Sequence, residues 1–196
     1  MAAHLPSFCF VAKIGIRLDS LVTAENPLAS IMISLEHRLQ PALGYLELGM
    51  FEEANDELEE LPPELRADDE VLGLRIEIFQ KLAKWEFARV LAESLAKRSP
   101  ENPGWWLSWS YALRREQSVV AAQVVLRRAS EIHPDVALIA YNLACYACVL
   151  GDLAEARTLL KIAFGMDRTL KRIALDDSDL EPLWAVLGKS PNNFTL

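Results

Sequence analysis

Cysteine, histidine and glycine are scarce in this chain: three, three and eight among 196 residues. An odd number of cysteines makes no disulfide framework, which fits a reducing compartment and a cytoplasmic location. His4, His37 and His133 show no ligand spacing, so no metal is expected; His133, beside Pro134, reads as a cation suited to a helix end. The glycines form no phosphate-cradling loop, and there is no serine nucleophile elbow. Positive charge is short as well. A net charge of −8 argues against nucleic acid as a partner. No stretch approaches the ~20 apolar residues that span a bilayer. None alternates with period two for long, so neither a membrane helix nor a sheet is expected.

Two features come nearest to chemistry. Cys145-Tyr146-Ala147-Cys148 has redox spacing, but it falls in mid-helix, away from the helix N-terminus that lowers a thiol pKa, and four zinc ligands are not at hand. These cysteines read as small buried or groove-lining residues. The carboxylates from Glu52 to Glu60 lie on an exposed helix without the burial that tunes a catalytic group. Asn193-Phe194-Thr195 matches a glycosylation sequon and reads as accidental. No active site and no cofactor are expected; the chain is not an enzyme on this reading.

What is present is a period. Gly49-Met50-Phe51-Glu52-Glu53-Ala54, Ala83-Lys84-Trp85-Glu86-Phe87-Ala88, Gln117-Ser118-Val119-Val120-Ala121-Ala122 and Gly151-Asp152-Leu153-Ala154-Glu155-Ala156 begin 34 residues apart. A fixed step of this size marks an array whose units cover one another's apolar faces. Around the turns the pattern predicts helix pairs: Leu35–Leu48 with Phe51–Leu61, Leu72–Leu82 with Trp85–Lys97, Trp105–Arg114 with Val119–Ile132, and Ala137–Leu150 with Leu153–Met166. Pro41 should start or kink the first of these. Pro62-Pro63, Pro100 and Pro134 punctuate the loops. The fold class is all-α.

Charge is uneven along the array. Residues 1–80 hold 5 bases and 15 acids, the rest 15 bases and 13 acids. Residues 1–34 read as a leader, unordered or docked on the array. Its apolar stretch from Phe8 to Leu18 is broken by Lys13 and Arg17, so it lacks the form of a secretory signal.

The units resemble the tetratricopeptide repeat (TPR), a helix-turn-helix module of this length. In that register the small residue at repeat position 20 is Ala54, Ala88, Ala122 and Ala156. Position 24 is Leu58, Ala92, Leu126 and Leu160, and position 27 is Leu61, Leu95, Ala129 and Ala163. The signature tryptophan occurs only as Trp106, and the closing proline only as Pro100 and Pro134. The resemblance implies a right-handed superhelical solenoid of four units, 35–68, 69–102, 103–136 and 137–168. A degenerate capping pair at 169–188 and a flexible tail at 189–196 follow. Asp179 reads as the N-cap of the last helix, with Glu181 and Pro182 in its first turn. The Asp-Ser-Asp-Leu-Glu-Pro-Leu-Trp run is similar to the ends of many bacterial repeat proteins of this kind.

The resemblance also implies a concave groove lined by the first helix of each unit. Its candidates are Leu39, Leu43 and Leu46; Leu74, Glu77 and Gln80; Leu107, Ser108, Tyr111, Arg114 and Arg115; and Tyr141, Asn142, Cys145 and Cys148. The chaperone-tail carboxylate clamp of one subfamily is missing, because Leu39, Leu43, Gly104 and Ser108 stand at its positions. A partner's helix or extended segment with an apolar stripe and an acidic flank suits what remains. The alternatives are that the leader fills the groove from within, or that the chain is a small secretion-type chaperone or a self-assembling homo-oligomer. Trp106 and Trp109 read as core. Trp105 reads as cover for the preceding unit or as an exposed anchor.

Overall fold

The computed structural model describes residues 34–188. The leader with Cys9, and the tail with its sequon, lie outside them. Ten α-helices and no strand are found among the described residues: α1 (Leu35–Glu47), α2 (Phe51–Glu59), α3 (Asp69–Lys81), α4 (Trp85–Arg98), α5 (Pro103–Glu116), α6 (Val119–Ile132), α7 (Ala137–Val149), α8 (Leu153–Met166), α9 (Leu170–Asp176) and α10 (Glu181–Leu187), with a short 3₁₀ turn at Ser178–Leu180. Each helix packs on the next, so the chain is an all-α helix-turn-helix solenoid. No described helix is long and apolar enough to cross a membrane.

The period has a physical basis in the turns. The amide of Met50 bonds the carbonyl of Tyr45, Lys84 bonds Phe79, and Asp152 bonds Ala147, at 2.8–2.9 Å. Each bond closes a helix whose C-cap is followed by a left-handed residue. That residue is Gly49 at φ +75°, Gly151 at +89° and Ala83 at +55°. The third turn is built differently. Gln117 stays at φ −121°, and the amides of Gln117 and Ser118 share the carbonyl of Leu113. The twelve residues at repeat positions 20, 24 and 27 are all buried, which lets the two helices of each pair approach closely.

Caps fix the boundaries that hydrophobic period leaves open. α3 begins at Asp69 rather than Leu72 because the Asp68 side chain accepts from the Glu70 amide. α5 begins at Pro103, with Asn102 accepting from the Gly104 amide, two residues before the apolar run at Trp105. Pro41 does not start a helix. α1 begins at Leu35 under a Ser34 cap and continues through the proline. Asp179 is not a cap either. Leu180 stands at the start of α10 without a side-chain cap, and Asp177 caps the preceding 3₁₀ turn, its carboxylate accepting from the Asp179 amide at 3.0 Å.

The buried side chains form two clusters. One joins α1, α2 and α3; the other runs from Ile76 through α5, α7 and α8 to Trp184. Trp105 is buried over the preceding unit, since a Cβ placed on Gly73 would lie 2.7 Å from its ring. Trp106 is core, donating from Nε1 to the Pro100 carbonyl at 3.0 Å, and half-buried Trp109 leans on it. Gly73→Ala is therefore expected to cost about 1–3 kcal/mol through overpacking. Gly44→Ala and Gly165→Ala, where a methyl meets nothing within 4 Å, should gain up to about 1 kcal/mol. Urea unfolding of the three variants checks this contrast, and a neutral Gly73→Ala would mean that Trp105 is not packed on α3.

Candidate functional site

The first helices, α1, α3, α5 and α7, carry the residues that the sequence nominates for ligand contact. Their surroundings differ sharply from one end of the array to the other. Leu39, Leu74 and Leu107 are buried core residues. Leu43, Leu46, Glu77, Gln80, Tyr111 and Arg114 are half-buried, and Arg115 is exposed. Tyr141, Asn142, Cys145 and Cys148 are all buried.

The fourth unit is covered by the chain's own C-terminal segment. Asp177 and Asp179 leave the turn between α9 and α10 and reach α7 and α5. The Tyr141 hydroxyl donates to Asp177 Oδ2 at 2.8 Å, and the Cys145 thiol points to the same oxygen at 3.5 Å. Arg114 holds Asp179 by two parallel bonds, Nη1 to Oδ2 at 2.5 Å and Nη2 to Oδ1 at 2.7 Å. Such a planar fork is the strong form of charge-assisted pairing. The same guanidinium lies 5.4 Å from the Tyr146 ring centroid, and the Tyr146 hydroxyl is 3.1 Å from that of Ser110. Leu180, Leu183 and Trp184 complete the cover with apolar burial, and Trp184 Nε1 donates to the Ala174 carbonyl.

Burial sets the electrostatics of this end. It pushes the Asp177 carboxyl above its ordinary value, an effect that the Asp179 charge reinforces; the Tyr141 bond and the Asp179 amide oppose it. Asp177 alone therefore favours the folded state at low pH, and that contribution falls away as pH rises through its raised value. Burial also pushes the Cys148 thiol up, the opposite of what a reactive thiol requires. Neither Cys145 nor Cys148 forms a disulfide among the described residues. Cys145, Asp177 and Asp179 are the one group of donors among the described residues close enough to hold a metal, all within 4.8 Å. Their oxygens are already engaged by Tyr141, the Asp179 amide and Arg114.

Further along, the first-helix face is less covered. Half-buried Tyr111 meets Trp85 edge-on, 5.7 Å between centroids at 85°. The Arg115 guanidinium lies 5.0 Å from the Trp85 ring centroid and has no carboxylate partner among the described residues. The Gln80 side-chain nitrogen and the Ser108 hydroxyl are buried without a hydrogen-bond partner among the described residues. Trp85 escaped the sequence reading. Its signal was size: the equivalent residues, Phe51, Val119 and Leu153, are all smaller.

No family model and no curated protein matches the chain. Solved structures do. TTC0263, a thermophilic TPR protein of Thermus thermophilus, is 22% identical, with 80% of this chain and 84% of that one covered at a TM-score of 0.64. MamA of MSR-1 is 18% identical over 79% of this chain and 87% of its own, at 0.55. MamA of AMB-1 is 17% identical over 79% and 82%, at 0.56. At these identities the likeness is one of fold, and the fold is the tetratricopeptide-repeat solenoid.

Proposed function

We propose that this solenoid is a non-enzymatic protein-interaction module that holds a partner's peptide or helix against the first-helix face of its first three units. The observation that carries the reading is the open cluster of Trp85, Tyr111 and Arg115. Aromatic and arginine side chains dominate binding energy at protein interfaces, because they bury large area at little conformational cost. The half-buried Leu43 and Leu46 add apolar area on α1 in the first unit. Arg115, stacked on a ring and without a carboxylate, suits an acidic flank.

The fourth-unit candidates Tyr141, Asn142 and Cys145 drop out of the open surface because they are buried, Tyr141 and Cys145 against Asp177 of the C-terminal segment.

Tyr111→Ala or Arg115→Ala is expected to weaken partner binding about 10- to 30-fold with little change in stability. Val124→Ala, on an exposed position of α6, should leave binding unchanged. The check is retention of partners on immobilised wild type and variants, with urea unfolding in parallel. Unchanged retention by folded Tyr111→Ala and Arg115→Ala would remove the groove from the account.

A further inference from the structure

The outward faces of the second helices differ from one end of the array to the other. α2 contains no lysine or arginine. Glu53, Asp56, Glu57 and Glu60 recur at a spacing that puts them on one face of it, three of them exposed, and none has a cationic partner among the described residues. The neighbouring Leu48 and Met50 are exposed too. At the opposite end, α8 turns Arg157 and Lys161 outward together with the exposed apolar Ile162 and Met166. Arg168 and Arg172 continue the positive charge past the helix end, both exposed. None of these four bases has a carboxylate partner among the described residues.

An isolated surface charge contributes little, but a block of one sign facing a block of the other steers and registers association. The two blocks sit on different parts of one molecule, so a single copy cannot join them. We propose that the chain associates head to tail with a second copy of itself, the acidic face of α2 in one copy seated on the basic, apolar-flanked face of α8 in the next. Such a heterologous contact leaves one free end of each kind, so assembly continues with concentration rather than stopping at a dimer. Salt weakens it, because the contact is driven by partly exposed charges. This surface is distinct from the first-helix face, and either proposal can fail without the other.

Sedimentation of the full chain tests it. At about 20 mM salt the mean mass should climb with concentration well past the 22.0 kDa of one chain, and at about 500 mM it should fall back towards that value. Asp56→Lys/Glu60→Lys cancels the net charge of the α2 face, and Arg157→Glu/Lys161→Glu cancels that of the α8 block. Each variant alone should stay monomeric, whereas their mixture should associate, because the wild-type α8 of one meets the wild-type α2 of the other. All four positions are exposed and without an ion-pair partner among the described residues, and circular dichroism verifies the fold. Three results overturn the proposal: wild type that stays monomeric at low salt, a variant that associates alone as wild type does, or a mixture that does not recover association. Tyr111→Ala should leave all of these masses unchanged.

Discussion

Arg114→Ala is expected to destabilise the chain by about 3–5 kcal/mol and to release α9 and α10 first. The reason is asymmetry. Asp179 is 5% exposed and Arg114 13%, so removing the cation strands a buried carboxylate, with Asp177 beside it and already strained by burial. Replacing both partners by leucine should recover most of the loss, because the desolvation cost disappears together with the attraction. Urea unfolding gives the magnitude, and hydrogen exchange shows where the structure opens: amides of Glu181–Leu187 should lose protection before those of α5 and α6. A loss under about 0.5 kcal/mol would mean that solvent screens the pair and that apolar burial alone holds the segment.

Leu126→Ala should cost about 2–5 kcal/mol. Leu126 is fully buried in α6, inside the cluster that runs from Ile76 to Trp184, and truncation leaves a cavity that rigid helices on both sides cannot fill. In a solenoid each unit is stabilised chiefly by its neighbours. A defect at the middle of the array therefore weakens the contacts of α6 with α5 and with α7 together. Urea unfolding followed by circular dichroism measures it. A cost below about 1 kcal/mol would contradict close packing at repeat position 24. The native alanine there, Ala92 in the second unit, is also fully buried.

The period was legible because turn chemistry and small residues recur locally: Gly49, Gly151 and the four alanines at position 20 need no distant partner to be recognised. Helix starts were less so. Asp68 and Asn102 extend α3 and α5 beyond their apolar runs, and a polar cap has no place in a hydrophobic period. The burial of the fourth unit's face was not legible for a different reason. Asp177-Ser178-Asp179 reads as local capping chemistry, and half of it is: Asp177 caps the 3₁₀ turn. Asp179 instead pairs with Arg114, 65 residues earlier. Nothing local in the sequence chooses between those two acids. Tyr141 and Arg114 looked like ligand-binding residues because they do bind carboxylates, which belong to this chain.

Cys145 offers the most direct measurement of the central claim, that the fourth unit is closed by residues 176–187 and the available surface is that of the first three units. The thiol lies fully buried on α7, against Asp177. Alkylation of the native full chain, read residue by residue by mass spectrometry, should label Cys145 only as fast as the segment opens. Arg114→Ala should accelerate that labelling by a hundredfold or more, about the factor that 3 kcal/mol represents. Labelling of Cys145 in the folded wild type at the rate of a free thiol would show the fourth unit open, and the account would fail there.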